Sequence, residues 1–178
     1  DQRGSGLIEA FGVERGVVAS IATFGKALGF AGACVAGSRT LIDFLVNRCR
    51  SFIFSTAMAP LGTVAIDVAL DVVAAEPQRG RRVLALADRL RERVRALGLD
   101  PLQSTGPIVP VILGDNERAV AVAARLRTRG FDIRAIRPPT VAAGTARLRI
   151  SVHANHTEAE IDALAVALGE ALAAEQLA

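Results

Sequence analysis

The chain has 178 residues, 51% of them hydrophobic, and a net charge of +3 from 21 basic and 18 acidic residues. That is enough apolar material for a packed core in one domain or slightly more, and too much for a disordered chain. Seven Phe with no Tyr or Trp argue against aromatic stacking platforms for single-stranded nucleic acid. The two cysteines, Cys34 and Cys49, form no CxxC pair, which argues against a zinc knuckle or a disulfide scaffold and reads as reduced thiols in a cytosol.

Residues 1–16 are Gly-rich and polar around a short apolar stretch, Leu7 to Phe11, and read as a loop with one helical turn. With no initiator Met and no signal-peptide core, Asp1 reads as a cut point. Val17 to Thr23 is a β-branched run and a candidate buried strand, with Lys26 in the turn after it. A second short strand is expected at Ala33 to Ala36. Ser38 then caps a helix to about Arg48, and Phe52 to Phe54 is another brief apolar run ending at Ser55-Thr56. Pro60 to Glu76 is helical in pattern. It is the most apolar stretch of the chain, but Pro60, Asp67 and Asp71 argue against a membrane span. After Pro77 a second helix is expected from Gln78 to Leu97, closed by Gly98. Its seven arginines between Arg79 and Arg95 are interspersed with Asp88 and Glu92, and read as the solvated face of a packed helix and not as a nucleic-acid footprint.

After Pro101 the pattern becomes strand (Ile108–Leu113), a helix capped by Asp115 or Asn116 and stopped by Gly130, strand (Phe131–Ile136), a Pro138-Pro139 break, and strand (Ala146–Val152). Along the last of these strands Leu148, Ile150 and Val152 alternate with Arg147, Arg149 and Ser151. Thr157-x-x-Glu160 is a capping box opening the final helix. This β-α-β-β-α order predicts a compact α/β lobe, and the class is α/β.

Twenty of the 21 basic residues are Arg; the one Lys is Lys26. Unlike arginine, lysine gives up its proton readily enough to act as a nucleophilic amine. Two nucleotide motifs fail around it. A P-loop needs Gly where Ser20 stands and Ser or Thr where Ala27 stands, and Gly4-Ser5-Gly6 lacks the third glycine of a dinucleotide fingerprint at Glu9. What remains is a hydroxyl, Thr23, three residues before the lysine at a strand exit. That spacing suits a Schiff base with an aldehyde cofactor whose phosphate the hydroxyl binds; the alternative is a solvated surface lysine. Arg149, on the polar face of its strand, suits bidentate capture of a carboxylate, the alternative being an ordinary edge-strand arginine. His153 and His156 lack a third ligand and read as strand-end polar residues, not a metal site.

Four ordered segments carry a resemblance. They are Thr23-Phe24-Gly25-Lys26-Ala27-Leu28-Gly29; Arg50-Ser51-Phe52-Ile53-Phe54-Ser55-Thr56-Ala57; Ile136-Arg137-Pro138-Pro139-Thr140-Val141; and Gly144-Thr145-Ala146-Arg147-Leu148-Arg149-Ile150-Ser151. Together they resemble the α-oxoamine synthases, fold-type I enzymes that use pyridoxal 5′-phosphate (PLP), over nearly the whole chain and roughly the C-terminal half of the family's length. The resemblance implies the end of the large, PLP-binding domain at 1–76, a connecting helix at 77–100 and the small C-terminal α/β domain at 101–178.

By that resemblance Lys26 is the Schiff-base lysine and Thr23 a ligand of the PLP phosphate. Ser55 and Thr56 match a segment reaching the neighbouring subunit's cofactor phosphate, which implies a homodimer. Thr140 matches a substrate-contacting position, and Arg149 the arginine that holds the amino-acid carboxylate. The implied reaction, in biotin biosynthesis, is the decarboxylative condensation of L-alanine with a pimeloyl thioester on coenzyme A or acyl carrier protein. A cytoplasmic enzyme is implied, with no metal, nucleic acid or membrane partner. Sister condensations using glycine, of the glycine C-acetyltransferase or 5-aminolevulinate synthase kind, are the alternative chemistry. A non-catalytic split-gene remnant or dimerising lobe is the alternative class. The family's carboxylate for the pyridine nitrogen, the histidine beside it and the ring-stacking imidazole match no residue here, and His153 and His156 match neither histidine. The 178 residues alone are therefore expected to be inactive, with strand edges left unpaired.

Overall fold

The computed structural model describes residues 6–176 and divides into two compact units, 1–78 and 79–178. The first opens with one helical turn, α1 (Leu7–Ala10), and a short 3-10 turn at Glu14–Gly16. β1 (Ala19–Thr23) and β2 (Ala33–Gly37) form an antiparallel hairpin in the register Ala19↔Gly37 to Thr23↔Ala33. α2 (Arg39–Arg48) begins where Ser38 Oγ accepts from the Leu41 amide at 3.2 Å, which satisfies one of the amides a helix start leaves unpaired. α3 (Arg50–Ile53) is a single turn, so the apolar run Phe52 to Phe54 closes a helix. α4 (Pro60–Ala75) starts with proline at its first turn, where the missing N–H costs nothing.

The sequence pattern predicts β1 as a buried strand, but both hairpin strands are largely exposed. Short β-branched runs read as buried only when other layers cover both faces, and among the described residues β1 and β2 pair with each other alone.

The second unit holds the hydrophobic core. α5 (Gln78–Ala96) contributes Leu86, Ala87, Leu90 and Val94, which pack with β3 (Ile108–Gly114), α6 (Asn116–Thr128), β4 (Arg134–Ile136), β5 (Ala146–Ser151) and α7 (Glu158–Gln176). The sheet order is β3-β5-β4, antiparallel throughout. Val109, Val111, Leu113, Ala146, Leu148 and Ile150 point to the helical side, and the alternate residues form an open face.

Local chemistry sets the ends of these elements. Gly98 (φ +75°) and Gly130 (φ +90°) close α5 and α6 in the left-handed conformation. In each case the glycine and the next residue bond back to carbonyls of the last turn: Gly98 to Arg95 and Leu99 to Val94, Gly130 to Arg127 and Phe131 to Leu126. That termination consumes Phe131, which is why β4 begins at Arg134 and not at Phe131 as the pattern predicts. Asp115 caps α6 through the Arg118 amide at 2.8 Å. At α7 the capping box is reciprocal, the Glu160 amide donating to Thr157 Oγ1 (3.2 Å) and the Thr157 amide to Glu160 Oε2 (2.7 Å).

The arginines of α5 are not all solvated. Arg91 is 2% exposed. It donates to Asp88 Oδ1 (2.6 Å), to Ser104 Oγ (3.3 Å) and to the Gly106 carbonyl, fastening the loop before β3 to the helix. Arg89 and Arg93 both bind Asp162 of α7.

Candidate active site

Lys26 stands in the loop that joins β1 to β2. The loop closes on itself: the Phe24 amide donates to the Gly32 carbonyl (2.9 Å), Phe30 to Phe24 (3.0 Å) and Gly29 to Lys26 (3.0 Å). Gly29 (φ +68°) and Gly32 (φ +105°) supply the left-handed conformations this path requires. Phe24 is one of two buried large apolar side chains among the described residues of this unit. The Phe30 ring lies so close to Gly62 of α4 that an added Cβ would meet it at 2.5 Å, and one at Gly32 would meet Met58 Cε at 2.5 Å. The lysine loop is thereby pinned to the segment just after Thr56.

At the head of this loop Lys26 Nζ donates to Thr23 Oγ1 at 3.1 Å, with both side chains exposed. The strand exit thus brings an amine and a hydroxyl together, three residues apart in sequence. An aldehyde cofactor with a phosphate tail needs a primary amine and hydroxyl donors in reach of each other, and this pair fits that requirement. Ser55 and Thr56 follow α3 and are exposed. The Ser55 hydroxyl donates to the Ser51 carbonyl at 2.5 Å, so its proton is engaged, while Thr56 makes no hydrogen bond among the described residues. Nearby, Cys49 Sγ lies 3.3 Å from Ser51 Oγ, and this hydrogen bond is the main reason the thiol's pKa lies below its ordinary value.

In the second unit Arg149 is on β5, the middle strand of the sheet, and not on an edge as its alternative reading held. Its side chain lies on the open face with no hydrogen bond or ion pair among the described residues. Its neighbours in register are Pro110 of β3 and Arg134 of β4. Thr140 is exposed in the turn that follows the cis Pro138-Pro139 bond, its amide donating to the Arg137 carbonyl at 3.0 Å. The rings of His153 and His156 meet edge to face at 5.3 Å, and His156 Nδ1 accepts from the His153 amide. Sequence reasoning missed Arg134: strand alternation puts it on the open face, but its place opposite Arg149 depends on a register that sequence does not reveal.

A family model described as aminotransferase class I and II matches residues 4–168. A curated 8-amino-7-oxononanoate synthase of Anaeromyxobacter dehalogenans (strain 2CP-C) is 49% identical over 95% of this chain and 43% of its own length. One of Anaeromyxobacter sp. (strain Fw109-5) is 55% identical over 96% and 43%. The chain therefore spans less than half the length of these relatives. Among solved structures, a serine palmitoyltransferase from S. paucimobilis with bound PLP-myriocin aldimine is similar at a TM-score of 0.89 and 26% identity, over 99% of this chain and 45% of that one.

Proposed function

This chain belongs to the aminotransferase class I and II family, and we propose that it is the C-terminal half of a PLP-dependent 8-amino-7-oxononanoate synthase. On this reading the whole enzyme condenses L-alanine with a pimeloyl thioester, carried on coenzyme A or acyl carrier protein. It forms one carbon–carbon bond and releases CO2 and the free thiol. The observation that carries the reading is the Lys26–Thr23 pair at 3.1 Å, in a chain so similar to curated synthases.

PLP, when bound, supplies an aldehyde carbon for amine capture and an electron sink for the α-carbon of the amino acid. The rest is assigned to side chains. Lys26 would hold the aldehyde carbon, and its amine, when free, would take the α-proton of the amino acid and return one to the product. Thr23 donates to the phosphate of the cofactor in its own subunit. Ser55 and Thr56 donate to that of a neighbouring subunit in a homodimer, Thr56 with its free hydroxyl and Ser55 by turning away from Ser51. Arg149, unpaired on the open sheet face, would bind the alanine carboxylate with two parallel N–H donors and so help orient the bonds to the α-carbon. Thr140 contacts substrate from the turn after Pro139. Residues 1–76 belong to the large domain, 77–100 form the connecting helix and 101–178 the small domain, in a cytoplasmic enzyme. No helix among the described residues is long and apolar enough to cross a membrane.

The test is a condensation assay on the full-length protein, pairing L-alanine or glycine with pimeloyl, acetyl or succinyl thioesters and measuring CO2 and the amino ketone. Alanine with pimeloyl thioester should be the preferred pair by at least about tenfold in kcat/KM, a difference of about 1.4 kcal/mol. Preference for glycine would move the assignment to a sister condensation, and no turnover with any pair would support a non-catalytic lobe.

A further inference from the structure

We infer that Arg134 is a specificity residue that recognises the distal carboxylate of a dicarboxylic acyl chain, beside the arginine assigned to the amino-acid carboxylate. The inference rests on the function proposed above and deepens it, because the pimeloyl group differs from a simple fatty acyl chain in ending in a second carboxylate.

Arg134 and Arg149 are direct cross-strand partners on β4 and β5, and both are exposed on the same open face. Opposite positions in an antiparallel pair have Cα atoms about 4.5–5.5 Å apart, and like charges placed there repel. Nothing in the unit relieves the repulsion fully. Arg149 has no partner among the described residues. Arg134 meets Asp132 Oδ2 at 3.2 Å, but that exposed carboxylate also faces Arg127 at 3.7 Å. Arg137 follows on the same strand's exit and Arg147 is on β5, its Nε turned to the Thr145 carbonyl at 3.0 Å. Only Arg127 and Arg134 share the Asp132 carboxylate, so Arg134 is left only partly neutralised beside Arg149.

The same face is apolar between its charges. Ile108, Pro110 and Ile112 of β3, with Ile136 of β4, alternate with the inward residues and lie beside the arginines. A face with an apolar strip and two facing guanidinium groups matches an aliphatic chain with carboxylates at both ends of the bound substrates. The pimeloyl chain rotates freely about its methylene bonds and can turn back along this strip, bringing its far carboxylate to Arg134 while the amino-acid carboxylate stays at Arg149.

The test compares pimeloyl-CoA with heptanoyl-CoA, which keeps the chain length and loses the distal carboxylate, in the full-length enzyme. Steady-state kinetics is one readout, and equilibrium binding of each ester to the cofactor-free protein is the other. Arg134→Gln should raise KM and Kd for pimeloyl-CoA about tenfold, the loss of one charge-assisted contact, leaving kcat and every heptanoyl-CoA value unchanged. Arg134→Lys should restore most of the loss, and Asp132→Asn, by freeing Arg134, should tighten pimeloyl-CoA alone. An equal effect on both esters, or none on pimeloyl-CoA, overturns the Arg134 assignment while leaving the proposed function standing. Wild-type enzyme that takes the pimeloyl chain neither on coenzyme A nor on acyl carrier protein overturns the proposed function, and this inference with it.

Discussion

The two units of the chain divide structure and chemistry unequally. Of the 25 buried apolar side chains among the described residues, 23 belong to residues 79–178, and only Phe24 and Ile66 to the first unit. Of the 24 exposed large apolar side chains among the described residues, 18 are in the first unit. Yet the first unit carries the amine, the hydroxyls and the internally bonded loop. A two-stranded hairpin with a few helices buries too little surface to offset the entropy of ordering its backbone, whereas a three-stranded sheet packed under three helices can. The second unit is therefore a self-sufficient scaffold. The first carries its chemistry on a largely exposed surface, and the chain spans under half the length of its curated relatives.

The comparison breaks most directly on dissection. Expressed separately, residues 79–178 should unfold in a single cooperative transition, and residues 1–78 should give none; cooperative melting of the smaller piece would reverse the contrast. Core truncation sharpens it. Leu90→Ala and Leu148→Ala, both fully buried, should each cost about 2–5 kcal/mol in chemical denaturation. Phe44→Ala, at an exposed position in the first unit, should change that transition by less than about 0.5 kcal/mol.

Arg91→Ala is expected to be milder, costing about 1–3 kcal/mol. It removes the clamp on the loop before β3 and leaves the Gly106 carbonyl unpaired, so hydrogen exchange should quicken first near residues 104–108. The smallest effect is electrostatic. Arg89 first, then Arg93, hold the Asp162 carboxyl down from 3.8 to about 2. A depressed carboxyl pKa contributes stability above the unfolded value that disappears as pH falls through the folded one. Wild-type protein should therefore lose part of its stability between about pH 4 and pH 2. Asp162→Asn should lack that part of the slope in denaturation curves taken across this window.

Much of this architecture was legible in the residues. The caps Ser38, Asp115 and Thr157, the stops Gly98 and Gly130, and the β-α-β-β-α order of the second unit act through local chemistry that reads directly from sequence. So did the closeness of Thr23 and Lys26, because three residues at a strand exit leave little freedom. Burial of β1 was misread because a short apolar run says nothing of what covers it. The single-turn helix at Phe52 lacks the length that makes periodicity visible. Arg149 on the middle strand, and Arg134 opposite it, follow from strand order and register, which are long-range properties. Arg91 looked like its solvated neighbours because a charged residue inside a mixed-charge run gives no sign of the backbone carbonyl that receives it.

The most direct measurement is the visible absorbance of the full-length protein purified with PLP, compared with its Lys26→Ala variant before and after L-alanine is added. The wild type should carry a yellow band that shifts with alanine and that borohydride bleaches as it fixes the cofactor covalently to Lys26. The variant should fold with the same melting temperature and show neither the fixed label nor the wild-type band. Covalent fixation that persists without Lys26, or a wild type that takes up no PLP, would contradict the assignment of this loop as the seat of the chemistry.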